Sequence, residues 1–551
     1  MKGQADTTAQ RISISTFAAG LLLGLSLGSG WTGLKSWMED GAACGCPRMP
    51  LPVIPALSFQ PPLPKHEYER HKHNDTHSHS SHGTGLDTIP LVRIGPNLRR
   101  FNSTLAEIEI ERVSTLLRKG GDSFNASLAT LFTNCWPNTL DTTVLHFSDN
   151  WNNLDAFVIT GDIAAMWLRD STNQVAPYLH LLSKTGPGQE KMIQLFVGVI
   201  LRQAKSINIF PYANAFLYNS SDAPGWPSDK VHPQIPTDAD IPTHEAKYEL
   251  DSLCAFLKIS NRVFESLSPS TKHHALRYIE DPVWIKAVQT VIDTMRIQQT
   301  GTLEELGKPA YKFQRMTDTA TETLLLGGIG VPAKRVGLIK SQFRPSDDAA
   351  TLPFNIASNA MATVELERLA KNLRKVDCHL KVAELAEDLA KEVRAAINQY
   401  GTIQHPKYGE IFAYEVDGYG SYYLMDDANV PSLLSLPYLG FIDSDDPLYL
   451  RTRKFILSDA NPYFFAGSAG NGVGGPHCGL GMIWPMSIIM RGLTSTSKAE
   501  QKVCLDMLLS SATSTGFMHE SFWKDDVEDF TRHHFAWANA LLGEFVLKYV
   551  E

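Results

Sequence analysis

The residues able to do chemistry gather in five short segments, where Gly, Trp, His and carboxylates crowd the connections between helical patterns. Loops carried by a rigid scaffold are where function usually sits. The first segment runs from Ile159 to Ser171 (ITGDIAAMWLRDS). An extended run breaks at Gly161 and a helical turn follows, which sets Trp167, Arg169 and Asp170 close together. An indole suits the apolar face of a pyranose, and an Arg with an Asp suits vicinal hydroxyls. The competing reading is a structural Arg–Asp pair beside a core Trp. The second segment, His244 to Ser252 (HEAKYELDS), places Glu245, Glu249 and Ser252 on one helical stripe and His244, Tyr248 and Asp251 on another, and it reads as a solvated helix face. In the third, Phe343 to Ala349 (FRPSDDA), Pro345 fixes the backbone and Ser346 can cap a turn, so Asp347 and Asp348 are expected at a helix start. Adjacent buried carboxyls raise each other's pKa, as a general acid requires, although an exposed Asp-Asp helix start needs no chemistry. The fourth, Val416 to Pro431, is rich in aromatics around Asp426 and Asp427. The fifth, Thr515 to Trp523, sets Glu520 among Phe517, Met518, His519, Phe522 and Trp523. Its structural alternative is a satisfied pair with Arg532 or His533.

No segment matches a phosphate loop, a dinucleotide fingerprint, a His-Glu-x-x-His zinc helix or a Gly-x-Ser-x-Gly elbow. Hydrolysis by two carboxylates is the economical reading left. Their separation would then set stereochemistry, at about 6.5 to 9.5 Å for inversion and about 5 to 5.5 Å for retention. The formal charge of −9, from 59 acidic and 50 basic residues, gives no global positive field and excludes a nucleic-acid role. Seven cysteines in 551 residues are too few for a disulfide-framework fold, and Cys44 and Cys46 lack a second pair at metal-finger spacing.

Helices must position these segments. In Val382, Leu385, Leu389, Val393, Ile397 and Tyr400 the apolar positions fall three or four apart, with Gly401 as a stop. Similar patterns cover Leu105 to Arg118, Met192 to Ile207, His244 to Leu267, Trp284 to Ile297, Ala360 to Leu373, Leu480 to Met490, Ala499 to Leu509 and Phe535 to Val550. Extended signals are few and short, such as Val144 to Phe147 and Ala156 to Thr160, and they do not alternate with helices as a βαβ chain would. Residues 95–551 therefore read as one mostly α domain, and a 551-residue chain with 43% hydrophobic content can bury a sizeable core.

The N-terminal part is different. No charged residue lies between Ile12 and Leu34, and residues 1–35 read as a signal peptide or a signal-anchor that would tie the protein to a membrane if uncleaved. Residues 36–94 read as a stalk, with seven prolines between Pro47 and Pro64 and then a histidine tract that reads as a solvated linker. Sequons at Asn74, Asn102, Asn125 and Asn219 agree with a secreted or lumenal body.

Taken in order, TGDIAAMWLRDS, HEAKYELDS, FRPSDDA, LMDDANVPSLL, IWP (Ile483 to Pro485) and TGFMHESF resemble the motifs of the glycoside hydrolase family 125 exo-α-1,6-mannosidases, over about residues 95–551. The resemblance implies an all-α (α/α)6 barrel, a toroid of helical hairpins, and inverting, exo-acting release of α-1,6-linked mannose with no metal or cofactor. It implies Asp347 as general acid, with Asp348 as the fallback, and Glu520 as general base. Arg169, Asp170 and His519 would contact the terminal sugar, and Trp167, His244, Arg344, Asp426 and Asp427 complete the substrate-binding candidates. The partners expected are α-mannosides, in mannan or in glycoprotein glycans. The N-terminal additions are similar to fungal relatives and leave the natural glycan open. The alternatives are another α-barrel carbohydrate enzyme and a non-catalytic mannan-binding surface protein.

Overall fold

Helices begin where a side chain satisfies the free amides of the first turn. Ser103 accepts from the Ala106 amide to open Thr104–Arg118, and Asp122 accepts from the Asn125 amide to open Ser123–Cys135. Asp281 caps Pro282–Gln298, with proline at its favoured first helical position. The computed structural model describes residues 89–551 apart from 220–225, 227 and 238. The segment expected at 1–35, nearly all of the stalk expected at 36–94, Asn74 and the Cys44/Cys46 pair lie outside the described residues. Among the described residues, no helix is long and apolar enough to cross a membrane. Packing starts slightly ahead of residue 95, since Ile89 is buried and the amides of Val92 and Arg93 bond to Asn134.

The helical periodicity is realised in the long elements. In Leu380–Tyr400, Val382, Leu389, Val393 and Ile397 turn inward as the spacing predicts, while Leu385 stays 45% exposed. Two patterns differ from expectation. The helix expected from His244 begins only at Leu250, because Thr243–Glu245 pairs as a strand with Ala215–Phe216. The pattern from Leu480 opens instead as the strand Met482–Ile483, paired with Ser521–Trp523, and becomes helical at Pro485.

Ile356–Lys375 packs between Leu250–Ser266 and Leu380–Tyr400, and Leu250–Ser266 packs in turn on Leu168–Val175. The C-terminal helix Ala536–Val550 touches Ser123–Cys135, Leu168–Val175 and Pro485–Leu493. Small residues let these helices close up. A Cβ on Gly492 would lie 2.1 Å from the Phe545 ring, and one on Gly543 would lie 2.2 Å from Trp136.

The strands form two- and three-stranded antiparallel sheets at the helix connections. Three of these sheets build the site. Met166–Trp167, Ala215–Phe216 and Thr243–Glu245 form one, and its first strand runs straight into Leu168–Val175. Phe354–Asn355, Glu415–Val416 and Tyr422–Tyr423 form the second, which leads into Ile356–Lys375. Met482–Ile483, Ser521–Trp523 and Asp526–Thr531 form the third, just ahead of Pro485–Leu493. The chain is thus mostly helical, and its little β-structure fixes the segments that carry the carboxylates.

Candidate active site

Asp347 lies at the tip of a tight hairpin. Phe343 and Ala349 bridge, the Arg344 amide donates to the Asp348 carbonyl at 2.8 Å, and the Asp347 amide donates to the Arg344 carbonyl at 2.9 Å. This corrects the expected helix start, because the next long helix opens only at Ile356. Ser346 caps no helix and donates to Asp348 Oδ2 at 3.1 Å. Asp347 has φ of 68°, a left-handed conformation that Asp tolerates better than most residues and that recurs at functional sites.

Behind the hairpin, one buried guanidinium holds four carboxyls. Arg169 reaches Glu249 at 2.6 Å, Asp347 at 3.0 Å, Asp170 at 3.3 Å and Asp251 at 3.4 Å. Of these side chains Asp347 alone is appreciably open, at 22% exposed. Asn214 Nδ2 donates to Glu249 at 3.0 Å and to Asp347 at 3.3 Å, and Ser252 Oγ donates to Glu249 at 2.7 Å. Burial pushes Asp170 and Asp251 each up to about 6 against the pull of Arg169. Burial likewise opposes ionisation of Asp347, but Arg169, a hydrogen bond with Glu249, Lys247 and His477 together hold it well below the usual carboxylate range. Glu249 goes the other way: its burial, with Asp347 and Asp251 beside it, outweighs Arg169 and lifts it well above that range.

The second segment is therefore interior, not a solvated face. Glu245, Lys247, Glu249 and Asp251 are all buried. Lys247 pairs with Glu322 at 2.9 Å and Glu245 at 3.4 Å, while Arg315 bridges Asp229, Glu245 and Glu322 at 2.6 to 2.9 Å. Those ion pairs allow so many charges inside.

Glu520 is fixed differently. Its backbone amide donates to the Thr531 carbonyl at 3.3 Å, and its Oε2 accepts from Thr531 Oγ1 at 3.0 Å and Cys478 Sγ at 3.3 Å. Arg532 stands 3.5 Å from Oε1, so one anticipated structural partner is present.

The residue that joins the two sides is His477, which the sequence reading missed. Its Nδ1 lies 3.6 Å from Asp348 Oδ1. Burial disfavours its charge, yet Asp348, with Glu520 and Asp347 also close enough to act, holds the ring up at about 10. The available signal was a single histidine in the Gly-rich run Gly470 to Gly481, between the acid and base segments. Trp484, quoted above within the IWP motif but given no role of its own, stands 6.2 Å from His477 between ring centres.

The remaining candidates divide. Trp167 and His244 meet edge to face at 5.3 Å, and both the indole Nε1 and the imidazole Nδ1 are buried without a protein partner. Asp427 accepts from the Asn429 amide and side chain on Oδ1, while its buried Oδ2 has no hydrogen-bond partner. Buried polar atoms left in this state are those a ligand can satisfy. Asp426 is a correction: its two oxygens accept from the Leu433 and Leu434 amides at 2.8 and 2.9 Å, so it is spent on a turn. Burial pushes it up to about 8. His519 is another correction as a sugar contact. Its ring nitrogens face the Arg532 carbonyl and Thr515 Oγ1, and it stacks on Phe530 at 3.7 Å. Arg344 grips Glu415 through Nε at 2.6 Å and Nη2 at 3.1 Å, which ties the acid hairpin to the second sheet. It therefore acts as a brace for the hairpin.

Residues 125–547 match the family described as metal-independent alpha-mannosidase, GH125. This chain belongs to glycoside hydrolase family 125. The solved structure of a Streptococcus pneumoniae metal-independent α-mannosidase, in a non-productive complex with α-1,6-mannobiose, is similar at a TM-score of 0.72 and 32% identity, covering 82% of this chain and 99% of that one. The meiotically up-regulated gene 157 protein of Schizosaccharomyces pombe is 43% identical over 479 residues, which cover 85% of this chain and 90% of the relative. Both span nearly the whole of the family body.

One three-donor group among the described residues, Glu322, Asp348 and His477, has its ligand-type atoms within 4.8 Å of one another. It fits a cation poorly. Glu322 is already held by Arg315 at 2.6 Å and Lys247 at 2.9 Å, and a His477 that keeps its proton offers no lone pair. In this family-125 chain the cluster is an ion-pair network.

Proposed function

We propose that the protein is an exo-acting α-mannosidase that removes terminal α-1,6-linked mannose with inversion, in a barrel of six helical hairpins. Asp347 is the general acid and Glu520 the general base. The carrying observation is the match of residues 125–547 to the metal-independent α-mannosidase family, with Asp347 the one carboxyl of the Arg169 cluster that is appreciably exposed. Asp348 fits the acid role less well, being 1% exposed and committed to His477 and Ser346. In the reaction Asp347 gives its proton to the glycosidic oxygen as the bond to the anomeric carbon breaks. Water attacks that carbon from the opposite face while Glu520 takes its proton. Trp167, His244, Asp170 and Asp427 offer the stacking surface and the free polar atoms for the terminal sugar. The mannobiose complex of the pneumococcal relative supports the linkage.

The test is mannose release from α-1,2-, α-1,3- and α-1,6-linked mannobiose, with the first-formed anomer read by NMR. Release from the α-1,6 isomer with β-mannose appearing first is expected, and activity should survive a chelator. No release from any isomer would overturn the reading. The exposed sequon residues Asn102 and Asn219, together with the uncharged N-terminal segment, support a body that is lumenal or secreted.

A further inference from the structure

A general acid must hold a proton when substrate arrives, yet Asp347 lies 3.0 Å from a guanidinium that favours its ionised form. The same guanidinium explains how the proton is kept. Arg169 brings one positive charge to four carboxyls, three of them buried, within 2.6 to 3.4 Å, which leaves three charges uncompensated if all are ionised. Like charges gathered around one cation away from water repel strongly, so such a cluster retains protons. The other nearby cations are paired first with other acids, Lys247 and Arg315 with Glu245, Glu322 and Asp229, and His477 with Asp348, and Lys247 and His477 act on Asp347 only from beyond those pairs. His244 and Tyr311 complete the titratable groups that sense Asp347 or Glu249.

Within the cluster one pair is singled out. Glu249 and Asp347 share Arg169, through Nη1 at 2.6 Å and Nη2 at 3.0 Å, and share Asn214 Nδ2, which donates to them at 3.0 and 3.3 Å. They differ in access, with the Glu249 side chain fully buried and that of Asp347 22% exposed. We propose that Glu249 is the proton-holding partner of the catalytic acid: the pair carries one proton, which rests on buried Glu249 and passes to Asp347 when a bound sugar covers that carboxyl and strips it of water. The hand-over breaks one O–H bond on Glu249 and forms one on Asp347, with no net charge moved into the site. Asp347 then protonates the leaving oxygen, and the pair regains its proton from solvent. Glu249 is thus a positioning residue, and the inference rests on the assignment of Asp347 as acid.

The experiment compares wild type with Glu249→Gln and Glu249→Asp on two substrates. One is α-1,6-mannobiose, whose leaving group needs a proton, and the other is 2,4-dinitrophenyl α-mannoside, whose leaving group does not. For Glu249→Gln, kcat/KM on mannobiose should fall at least about a hundredfold, the loss on the aryl mannoside should stay below about tenfold, and the alkaline limb of the pH profile should move to lower pH. Glu249→Asp, which keeps an ionisable carboxyl, should recover much of the mannobiose activity. Equal losses on both substrates, or an unmoved pH profile, would overturn the inference while leaving the mannosidase reading intact. A wild type inactive on both substrates would overturn both.

Discussion

The two carboxylates proposed as acid and base sit in opposite kinds of surroundings. Asp347 belongs to a knot of like charges around one guanidinium, in which Glu249, Asp251 and Asp170 compete for Arg169. Glu520 is held by a hydroxyl, a thiol and a backbone amide hydrogen bond in an aromatic setting, with Arg532 no nearer than 3.5 Å. Crowding carboxyls keeps protons in reserve, while surrounding one carboxylate with donors keeps its lone pairs aimed and available. In the proposed mechanism, one side of the site gives a proton and the other takes one.

The largest effects should come from removing either group. Asp347→Asn and Glu520→Gln should each cost about a thousandfold or more in kcat on α-1,6-mannobiose, with circular dichroism unchanged. The two should part on an aryl mannoside with a stable leaving group. Asp347→Asn should regain most of its activity there and Glu520→Gln should regain none. If both variants recover alike, the division into a donor side and an acceptor side is wrong.

Stability should show the same asymmetry. Arg169→Met leaves three buried carboxyls and the partly exposed Asp347 without their common cation and should cost about 4 kcal/mol in denaturant unfolding. Arg532→Met removes a cation whose contact with Glu520 is long and whose stronger partner, Asp162, is 38% exposed, and should cost about 1 kcal/mol. Equal losses would mean that the carboxyl knot is not held by Arg169.

His477 lies on the border, and its contribution depends on pH. The folded ring is raised to about 10 from its ordinary value near 6.5, so the stabilisation it supplies is full below about pH 6.5 and is lost as the pH climbs through 10. Its partner Asp348 is lowered, despite burial, by His477, Arg344 and Lys247, so its share is present above about pH 4 and fades as the pH falls. His477→Gln should therefore lose about 3 kcal/mol near pH 6, and the gap to wild type should narrow toward pH 10. A gap that is flat with pH would show that the ring is neutral in the fold.

Some of this organisation is legible in sequence and some is not, for physical reasons. Helices such as Leu380–Tyr400 announce themselves because one stripe must be buried and the other solvated. Glu520 stands out because a carboxylate among aromatic residues needs a reason. Segment 244–252 misleads because its spacing fits a helix equally well, and nothing local reveals that Thr243–Glu245 is claimed by a strand from Ala215–Phe216. Its acids look solvated because their cations, Arg169 and Arg315, come from 80 and 70 residues away. Asp426 and Asp427 look like equal sugar-binding candidates, but the backbone of the next turn consumes the first. His477 has no periodicity to betray it, because only the closed fold brings Asp348 and Glu520 to it.

The smallest effect tests the base side alone. Thr531 Oγ1 donates to Glu520 at 3.0 Å and also contacts Ser521 Oγ at 2.6 Å, on the strand that pairs with the base segment. Thr531→Val keeps the branched shape and removes only the hydroxyl. One hydrogen bond to a charged group is worth about 1.5 kcal/mol, so kcat should drop about tenfold with KM nearly unchanged. Cys478→Ala removes a weaker donor at 3.3 Å and should cost still less, while the double variant should lose more than either. If Thr531→Val instead raised KM at constant kcat, the hydroxyl would be binding sugar and not aiming the carboxylate, and the acceptor side would need a different account.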